Sequence, residues 1–412
     1  MSAAASTPGD AGARLDALVA TLAGELVEIR RDLHAHPELA GEEVRTTTLV
    51  ADRLRRAGLR PQLLDGTGLV CDVGPEPADG QVEPRGRVAL RADIDALPLE
   101  DSCGTGFEST TPGVAHACGH DVHTAVVLGA GLALAALHAE GRLDVGVRLV
   151  FQPAEEVMNA GAHDVVAQGV LDGVERIAAV HCEPKLDVGR VGTRIGPITS
   201  ASDTVTVTLS SGGGHTSRPH LTGDVVYALG QVITQVPAVL GRRLDPRSGV
   251  NLTWGAVHAG RTYNAIPATG VVSGTLRCLD VRAWERAGQV LHDAVEQVVA
   301  PYDVDVSVRH ARGVPPVDND AVVTGALEAA GAAVLGADGV VLTEQSLGGE
   351  DFAWYLTKVP GAMARLGTGT PGQRRYDIHQ GDLVVDERAI AYGARLLARF
   401  VLEPVGAPAP TV

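Results

Sequence analysis

Three largely apolar runs, each followed by acidic or histidine side chains, constrain the fold of this chain most. They are residues 87–92 before Asp93 and Asp95, residues 147–152 before Glu155 and Glu156, and residues 177–180 before His181. Such runs, bounded by polar residues, glycine or proline, are typical of buried parallel strands. A charged residue after a single strand usually marks only the end of that strand. Three strands that end alike favour a shared site, because ligand sites in open α/β sheets form at the carboxyl ends of strands.

The segment from His116 to His123 holds one cysteine and three histidines within eight residues. Thiolate and imidazole groups together suit Zn²⁺ and similar borderline divalent ions. Cys118 and His120 are separated by a single glycine, so a tight loop can direct both side chains at one ion. The alternative for this segment by itself is a buried thiol beside surface histidines.

Composition sets the broad class of the protein. A chain of 412 residues is too long for one ordinary core, so two domains are expected. A hydrophobic content of 45% with 20% charged residues is typical of a globular enzyme. The net charge of −16 argues against nucleic acid and anionic membrane surfaces as partners.

Targeting and membrane signals are weak along this sequence. Residues 1–14 are small and polar, and we expect a disordered segment there rather than a signal peptide. Residues 124–137 are apolar but fall short of the ~18 residues of a membrane span, so a buried helix is expected. The five cysteines are scattered and odd in number, which does not indicate a disulfide framework. We therefore expect a cytoplasmic protein.

Two kinds of secondary-structure pattern divide the chain. A helix is predicted from Leu15 to Leu33, with His34 and His36 capping its end, and strands then alternate with helices to about Val191. The next part has the order β-α-β-β-α-β of a ferredoxin-like α+β domain. Its predicted strands are 204–209, 250–257, 270–278 and 303–309, and its predicted helices are 223–240 and 283–299. The predicted organisation is a larger α/β domain, residues 15–198 and 312–412, with residues 199–311 inserted in it.

Six short motifs occur in a fixed order along nearly the whole chain, from about residue 15 to residue 402. They are residues 116–123, 152–156, 212–215, 264–267, 274–277 and 348–352. Together they resemble the aminoacylase/carboxypeptidase-type metallopeptidase family. The most similar branch contains hippurate hydrolases, auxin-conjugate hydrolases and bacterial N-acyl-amino-acid amidohydrolases. The resemblance implies a zinc-peptidase-like α/β catalytic domain, with the inserted domain acting as a lid through which two chains form a homodimer.

The resemblance also implies a site for two divalent metal ions in each chain. The implied ligands are Cys118, His120, Glu156, His181 and His379, with Cys118 bridging the ions. Zn²⁺ is the expected metal, with Mn²⁺, Co²⁺ or Ni²⁺ as alternatives. Two adjacent ions lower the pKa of a bound water molecule and polarise the scissile carbonyl. Without the resemblance, His379 is equally well explained as a surface histidine.

Glu155 is the expected general base. It would take a proton from the attacking water and return it to the leaving amine. Neighbouring side chains at a strand end point in different directions, so Glu156 can bind metal while Glu155 faces the substrate. A lone pair of glutamates is usually a solvated acidic pair, but a buried-strand pattern precedes this one.

The resemblance assigns further roles around the metals. His215 would stabilise the oxyanion, reaching the active site of the partner subunit. Asn264 and Arg277 would bind the substrate carboxylate, for which the planar guanidinium is well suited. Taken singly, Arg277 is more often a solvent-facing strand residue. Apart from the resemblance, we expect Asp95, His116, His123 and His220 to lie near the site and to orient the metal ligands.

The resulting hypothesis is a binuclear metal-dependent amidohydrolase. It would split an N-acyl-amino acid, or a short peptide, into a carboxylate and a free amino acid. Two alternatives remain: a carboxypeptidase or dipeptidase using the same site, and a catalytically inactive peptide-binding protein on this scaffold. Residues 157–161 are less glycine-rich than in many relatives, and Gln380 stands where a small hydroxyl residue is frequent. Both departures bear on the substrate and not on the metal site.

Overall fold

The computed structural model describes residues 8–75, 86–157 and 160–404. These residues form two compact units. The first contains the described residues up to Gly196, Asn319–Glu344 and the residues from Trp354 onwards; the second contains Pro197–Asp318 and Gln345–Ala353. The second unit is therefore somewhat wider than the inserted domain we delimited at 199–311, and it includes a segment that we had assigned to the larger domain.

The helices and strands of the described residues are numbered here in chain order. The helices are α1 (Pro8–Ala35), α2 (Val44–Arg56), α3 (His120–Ala139), α4 (Ala162–Ala167), α5 (Val225–Arg243), α6 (Val281–Val299), α7 (Ala321–Leu335), α8 (Ala353–Leu356) and α9 (Arg388–Leu402). The strands are β1 (Gln62–Leu63), β2 (Leu69–Val73), β3 (Arg87–Asp93), β4 (Val147–Gln152), β5 (Val174–Asp187), β6 (Val191–Thr193), β7 (Gly196–Pro197), β8 (Ala201–Ser210), β9 (Gly214–His215), β10 (Asn251–Ala259), β11 (Ala265–Ile266), β12 (Thr269–Cys278), β13 (Asp305–Val314), β14 (Asp318–Asn319), β15 (Val340–Leu342) and β16 (Gly361–Gly369).

The first unit contains an eight-stranded sheet in the order β1-β2-β4-β3-β5-β16-β6-β15. Its centre is parallel: β3 pairs with β4 and β5, and β5 pairs with β16. Asp93 at the end of β3 is in register with Gln152 at the end of β4. The three apolar runs that we predicted to be buried parallel strands are therefore neighbours, with β3 and β4 ending at the same edge.

The third run does not end where the sequence suggested. We expected the strand to stop before His181, but β5 continues to Asp187. The reason is its second neighbour, since β16 pairs with β5 beyond the end of β3 and brings Arg365 opposite His181. His181 thus lies within a strand, whereas Asp95, Cys118, Glu155 and Glu156 lie on loops.

Helix α3 forms the centre of the first unit and packs against α1 and α9. Its residues are buried along almost the whole length, as the apolar pattern of 124–137 predicted. In the described residues it is the one helix long and apolar enough to cross a membrane, and 78% of the tested window is buried inside the protein. Burial of this kind is typical of a core helix.

The expectation of disorder in residues 1–14 is wrong for the part that the structure describes. Helix α1 begins at Pro8, seven residues before the helix start that we predicted at Leu15. Ala11 and Leu15 are both buried, and Arg14 makes an ion pair of 2.6 Å with Glu140 at the end of α3. Packing of α1 on the core thus extends the helix through small residues. Residues 1–7 lie outside the described part of the chain.

The second unit is built on a four-stranded antiparallel sheet in the order β10-β12-β8-β13. Helices α5 and α6 supply the apolar side chains that cover it. Along β8, Val205, Val207 and Leu209 are buried and alternate with threonines, as a half-buried strand requires. This arrangement confirms the predicted ferredoxin-like α+β domain and, with it, the predicted fold class.

Candidate metal centre

Five predicted metal ligands come together in the first unit from four segments of the chain. Cys118 and His120 lie at the start of α3, Glu156 follows β4, His181 is on β5, and His379 lies in the segment between β16 and α9. The ligand atoms of Cys118, His120 and His181 lie within 4.8 Å of one another. The same holds for Cys118, Glu156 and His379. Cys118 belongs to both groups and therefore lies between them.

Gly119 makes the approach of Cys118 and His120 possible. It has a φ of 86°, in the left-handed region that favours glycine. A Cβ at this position would lie 2.7 Å from Sγ of Cys182, which is closer than any real contact. The single residue between the two predicted ligands must therefore be glycine, as the tight-loop interpretation of the sequence requires.

His181 is oriented by its own strand. Its ring Nδ1 lies 2.8 Å from the carbonyl oxygen of Cys182, so Nδ1–H donates there. The other ring nitrogen, Nε2, then faces Sγ of Cys118 at 3.5 Å. Burial, together with the charge of Arg365, holds the pKa of His181 well below its usual value. The imidazole is neutral as a result, which is the form that binds metal.

Asp95 contacts two of the predicted ligands at once. Its Oδ1 lies 3.2 Å from Nδ1 of His120, and its Oδ2 accepts a hydrogen bond of 2.9 Å from the backbone N–H of Glu156. Nε2 of His120 is directed to the other side, 3.9 Å from Glu156 and 4.0 Å from Glu155. The contact with Asp95 thus turns His120 toward the two glutamates.

His379 reaches the cluster through an unusual backbone conformation. Its φ is 60°, which is uncommon for a residue other than glycine. Its N–H donates to the carbonyl oxygen of Ala117 at 2.7 Å, which fixes the loop beside Cys118. Its Nε2 lies 3.3 Å from Oε1 of Glu156, and about half of the side chain is exposed. Strain held at a residue of this kind is typical of functional sites.

The donor set fits divalent metal ions. Nε2 of His120 is buried and makes no hydrogen bond with any group that the structure describes. Burial raises the pKa of the Cys118 thiol far above its ordinary range, so a thiolate at this position requires an adjacent cation. One thiol, three imidazoles and one carboxylate are ligands that Zn²⁺ and related borderline ions prefer.

His215 and Asn264 lie side by side in the second unit. Strands β9 and β11 pair Ala265 with His215, and the N–H of Thr216 donates to the carbonyl oxygen of Asn264 at 3.3 Å. Both predicted residues are exposed. Nδ1 of His215 accepts a hydrogen bond of 3.1 Å from the N–H of Ser217, so a neutral ring carries its proton on Nε2.

Arg277 is not brought together with His215 and Asn264. It lies on β12, eight residues beyond Thr269, the first residue of that strand, and β12 follows β11 along the chain. Eight residues of strand span about 27 Å. The guanidinium of Arg277 donates to the carbonyl oxygen of Leu347. A single second unit therefore does not present Asn264 and Arg277 to one small carboxylate.

Comparison with known proteins decides the family. The family described as peptidase family M20/M25/M40 matches residues 89–403 of this chain. The chain belongs to this family. N-acetyl-L-cysteine deacetylase of Bacillus subtilis is 37% identical over 375 residues, which cover 90% of this chain and 86% of the relative. The membership confirms the resemblance drawn from the six motifs.

Other relatives extend the comparison. The crystal structure of the YXEP protein of Bacillus subtilis, a dinuclear metal binding peptidase from the M20 family, has a TM-score of 0.78 and 31% identity, and the match covers 93% of this chain and 98% of that one. A Rhodococcus jostii protein named for a glutamate–cysteine ligase is 50% identical over 374 residues. The match covers 90% of this chain but only 46% of that longer protein. This M20 chain is a metal-dependent hydrolase of amide bonds.

A buried network around Asp93 and His123 holds the M20 site in place. His123 lies 2.6 Å from Asp93 through Nδ1, and its Nε2 accepts the N–H of Cys182 at 2.8 Å. Arg91 makes an ion pair of 2.5 Å with the other oxygen of Asp93. Burial favours the protonated acid, but the charges of Arg91, His120 and His123 outweigh it and hold the pKa of Asp93 well below its usual value. The network fixes the backbone beside His181.

Glu43 is a residue of the M20 site that sequence reasoning missed. It is fully buried at the start of α2. Its carboxylate accepts hydrogen bonds from the N–H of Ala154 at 2.8 Å and from the hydroxyl of Thr67 at 2.6 Å. Ala154 has a φ of 57° and directly precedes the two glutamates of the site. No local pattern signals this contact, since 111 residues separate the partners.

His116 lacks the contacts of the orienting role that we expected from its position in the sequence. Its ring is buried, and burial lowers its pKa to about 4. Neither ring nitrogen makes a hydrogen bond with the residues that the structure describes. His116 therefore does not orient a metal ligand through a hydrogen bond, whereas Asp95 makes the contacts expected of an orienting residue.

Proposed function

We propose that this M20 chain is a binuclear amidohydrolase that cleaves N-acyl-amino acids to a carboxylate and a free amino acid. The observation that carries the proposal is the pair Glu155 and Glu156, which approach Nε2 of His120 at 4.0 and 3.9 Å. One carboxylate can bind an ion while its neighbour stays within reach of a water molecule at that ion. Hydrolysis of an amide needs this combination.

The two overlapping clusters support two ion sites that share one thiolate. Cys118, His120 and His181 would hold the first ion, and Cys118, Glu156 and His379 the second. Divalent ions bound there supply acidification of a water molecule and polarisation of the amide carbonyl. We propose Zn²⁺ as the metal, because thiolate and imidazole ligands favour it, with Mn²⁺, Co²⁺ or Ni²⁺ as alternatives.

Glu155 would act as the general base in this mechanism. Its carboxylate takes a proton from the attacking water and later delivers it to the nitrogen of the leaving amino acid. Asp95 keeps Glu156 and His120 in place during the reaction through the contacts described above. His215 would donate a hydrogen bond from Nε2 to the developing oxyanion. Negative charge builds up on that oxygen in the transition state, so a donor there stabilises the transition state most.

The proposed substrate class rests on carboxylate recognition and on a relative. Asn264 and Arg277 would bind the free carboxylate of the amino-acid part, because a guanidinium pairs with a carboxylate through two parallel hydrogen bonds. The relative named N-acetyl-L-cysteine deacetylase supports an N-acyl-amino acid. A carboxypeptidase or dipeptidase would use the same groups, and its substrate would carry a peptide bond instead of a simple acyl group.

Dimerisation through the second unit accounts for the separation of the predicted substrate-binding residues. If Arg277 and Asn264 contact one carboxylate, we infer that they come from different chains, since about 27 Å of strand separates Arg277 from Thr269, the start of β12, and Asn264 precedes that start. Large apolar side chains are also exposed on this unit, which supports its covering by a second copy. They are Leu221, Val226, Tyr227, Val257 and Tyr263.

We also propose that the protein works in the cytoplasm. All five cysteines are free in the structure, and Cys118 must stay reduced to bind metal. Export of the enzyme to an oxidising compartment would expose that thiol to disulfide formation. Separation of the chain between cell fractions, with activity measured in each, tests this assignment.

The decisive experiment combines metal analysis with a substrate panel. The purified protein should contain two divalent ions per chain, and activity lost to a chelator should return with Zn²⁺ or Mn²⁺. Matched substrates that share one amino acid, such as N-acetyl, N-benzoyl and N-glycyl derivatives, separate the functions. A higher kcat/KM for the simple acyl groups supports an amidohydrolase, a higher value for the glycyl derivative supports a dipeptidase, and metal-dependent binding without turnover supports the inactive alternative.

A further inference from the structure

A second cluster of metal-ligating side chains lies in the first unit, apart from the five predicted ligands. His34 is in the last turn of α1, and Asp101 and Cys103 are in the loop that follows β3. Nε2 of His34 lies 3.4 Å from Oδ2 of Asp101 and 3.7 Å from Sγ of Cys103. One ligand atom from each residue lies within 4.8 Å of the other two. The hydrolytic mechanism uses none of these residues.

We propose that His34, Asp101 and Cys103 bind an additional divalent metal ion of the Zn²⁺ class. Imidazole, carboxylate and thiolate are the three side-chain ligands of zinc proteins. Their usual distances from zinc place neighbouring ligand atoms of a tetrahedral site about 3.3 to 3.6 Å apart. The two measured separations at His34 are close to these values. The hydroxyl of Thr105, 3.1 Å from Sγ of Cys103, is available as a nearby oxygen.

The ring of His34 is oriented as a ligand would be. Its Nδ1 lies 2.8 Å from Oδ2 of Asp121, so that nitrogen is occupied and Nε2 is directed at Asp101 and Cys103. Nε of Arg30 lies 2.7 Å from the same oxygen of Asp121 and holds the carboxylate in place. Histidine ligands of metals usually donate their second N–H to a carboxylate in this way.

Asp101 and Cys103 are held in a compact turn of the loop. Oδ1 of Asp101 accepts the N–H of Cys103 at 2.9 Å, and Oδ2 accepts the N–H of Ser109 at 2.8 Å. A carboxylate oxygen that accepts one hydrogen bond keeps a second lone pair for an ion. Cys103 is only partly buried, whereas the side chains of His34 and Asp101 are each 4% exposed.

An ion at this cluster must displace a proton from His34. Burial favours the neutral ring, but the charge and hydrogen bond of Asp121 outweigh it and raise the pKa of His34 to about 9. The other charged or titratable groups that face the ring are Arg30, Asp101, Cys103 and His116. The carboxylates of Asp101 and Asp121 favour a positive charge at the His34 ring, either a proton or a divalent ion. The thiol of Cys103 selects for a borderline metal.

The ion would have a tethering role. It would join the end of α1 to the loop that leads from β3 to Cys118 and His120. Within that loop, the N–H of Ser102 already donates to the carbonyl oxygen of Gly381 at 2.8 Å, two residues after His379. A metal at Cys103 would therefore stabilise the segment that connects both sides of the proposed hydrolytic site.

Metal content provides the first test. The wild-type protein and the variant Cys103→Ala are equilibrated with Zn²⁺ at pH 8 and freed of unbound metal, and bound zinc is measured per chain. Cys278→Ala is the matched control, because Cys278 is a free thiol of the second unit whose Sγ donates to the backbone carbonyl oxygens of Ser248 and Asp280. We expect Cys103→Ala to lose one equivalent and Cys278→Ala to lose none. Equal zinc contents in all three proteins would overturn the proposal.

A second measurement uses the native Cys103 thiol as the reporter. Iodoacetamide labelling of Cys103 is followed by peptide mass spectrometry with and without Zn²⁺, in a Cys118→Ala background so that the hydrolytic site is disabled. Zinc should slow the labelling of Cys103 at least tenfold, and His34→Gln should remove that protection. A labelling rate that zinc does not change would show Cys103 to be a free thiol and would refute the site. Because the readout is independent of hydrolysis, it leaves the proposed function untouched.

Discussion

The buried carboxylate of Glu43 accepts a hydrogen bond of 2.8 Å from the backbone N–H of Ala154. Ala154 adopts the left-handed conformation that favours glycine, and the glutamates of the metal centre follow it directly. A turn in this conformation needs contacts that hold it. Glu43 thus ties the start of α2 to the loop that presents the proposed base and metal ligand.

Replacement of Glu43 by alanine should lower kcat more than tenfold with a smaller change in KM. The variant leaves the N–H of Ala154 and the hydroxyl of Thr67 without their buried acceptor, at a cost of about 1–3 kcal/mol in stability. Glu43→Gln should restore most of the activity, because the amide oxygen can still accept from Ala154 while Thr67 accepts from the amide nitrogen. Glu42→Ala is the control, since that neighbouring side chain is exposed. A wild-type kcat in Glu43→Ala would contradict the positioning role.

Replacement of Cys118 by alanine should reduce bound metal, because both clusters of the proposed centre contain this thiol. The buried thiol cannot ionise without a cation, so its removal eliminates the one anionic sulfur ligand of both ion sites. Metal per chain is measured after dialysis against metal-free buffer. Cys71→Ala, at a buried thiol of β2, provides the comparison. Full occupancy in Cys118→Ala would rule out the shared-thiolate arrangement.

Replacement of Glu155 by glutamine should separate the base from the ligands. The amide keeps the shape of the side chain but cannot accept the proton, so turnover should fall by about 10²–10⁴-fold or more. Metal content should stay near that of the wild type, since Glu156 still binds. Glu175→Gln, an exposed residue of β5, serves as the control. Retained activity would exclude Glu155 as the base. Loss of metal would indicate that Glu155 is the metal ligand and Glu156 the base.

The sequence predicted those parts of the fold that depend on local patterns. Apolar runs located the central strands because both faces of a parallel sheet are buried. The alternation along β8 located the second unit in the same way. The end of β5 was misplaced, because its last residues pair with β16, which lies almost two hundred residues further along the chain. Pairing with a distant strand leaves no local signal.

The candidate site shows the same difference between what local sequence predicts and what tertiary packing decides. Ligand types and motif order indicated which residues to bring together, and the structure assembles four of them, His120, Glu156, His181 and His379, around Cys118. His34 was assigned to helix capping, but its ring is buried against Asp121 instead. His36 does contact the carbonyl oxygen of Asp32 at 2.8 Å in the last turn of α1. Two histidines in similar local sequence thus have different roles, which only tertiary packing decides.

The last prediction concerns a catalytic site shared between two chains. His215 is an exposed residue on β9 of the second unit, and its Nδ1 accepts a hydrogen bond from Ser217. If it serves the oxyanion of a partner subunit, His215→Ala should be nearly inactive while it binds metal normally, because its contact forms mainly in the transition state. Glu155→Gln should be inactive for a different reason. Each variant then lacks a different one of the two residues, Glu155 and His215, that every shared catalytic site needs.

Mixed dimers of the two variants should regain activity. In a mixed dimer, the intact Glu155 of one chain meets the intact His215 of the other, so one of the two sites is complete. Random pairing of equal amounts gives half mixed dimers, and the recovered activity should approach about a quarter of the wild-type value. The variants are unfolded, refolded together and assayed, and differently tagged chains establish that mixed dimers have formed. If such a mixture stays inactive, His215 acts within its own chain or takes no part in the reaction, because a shared site requires that one complete pair be present.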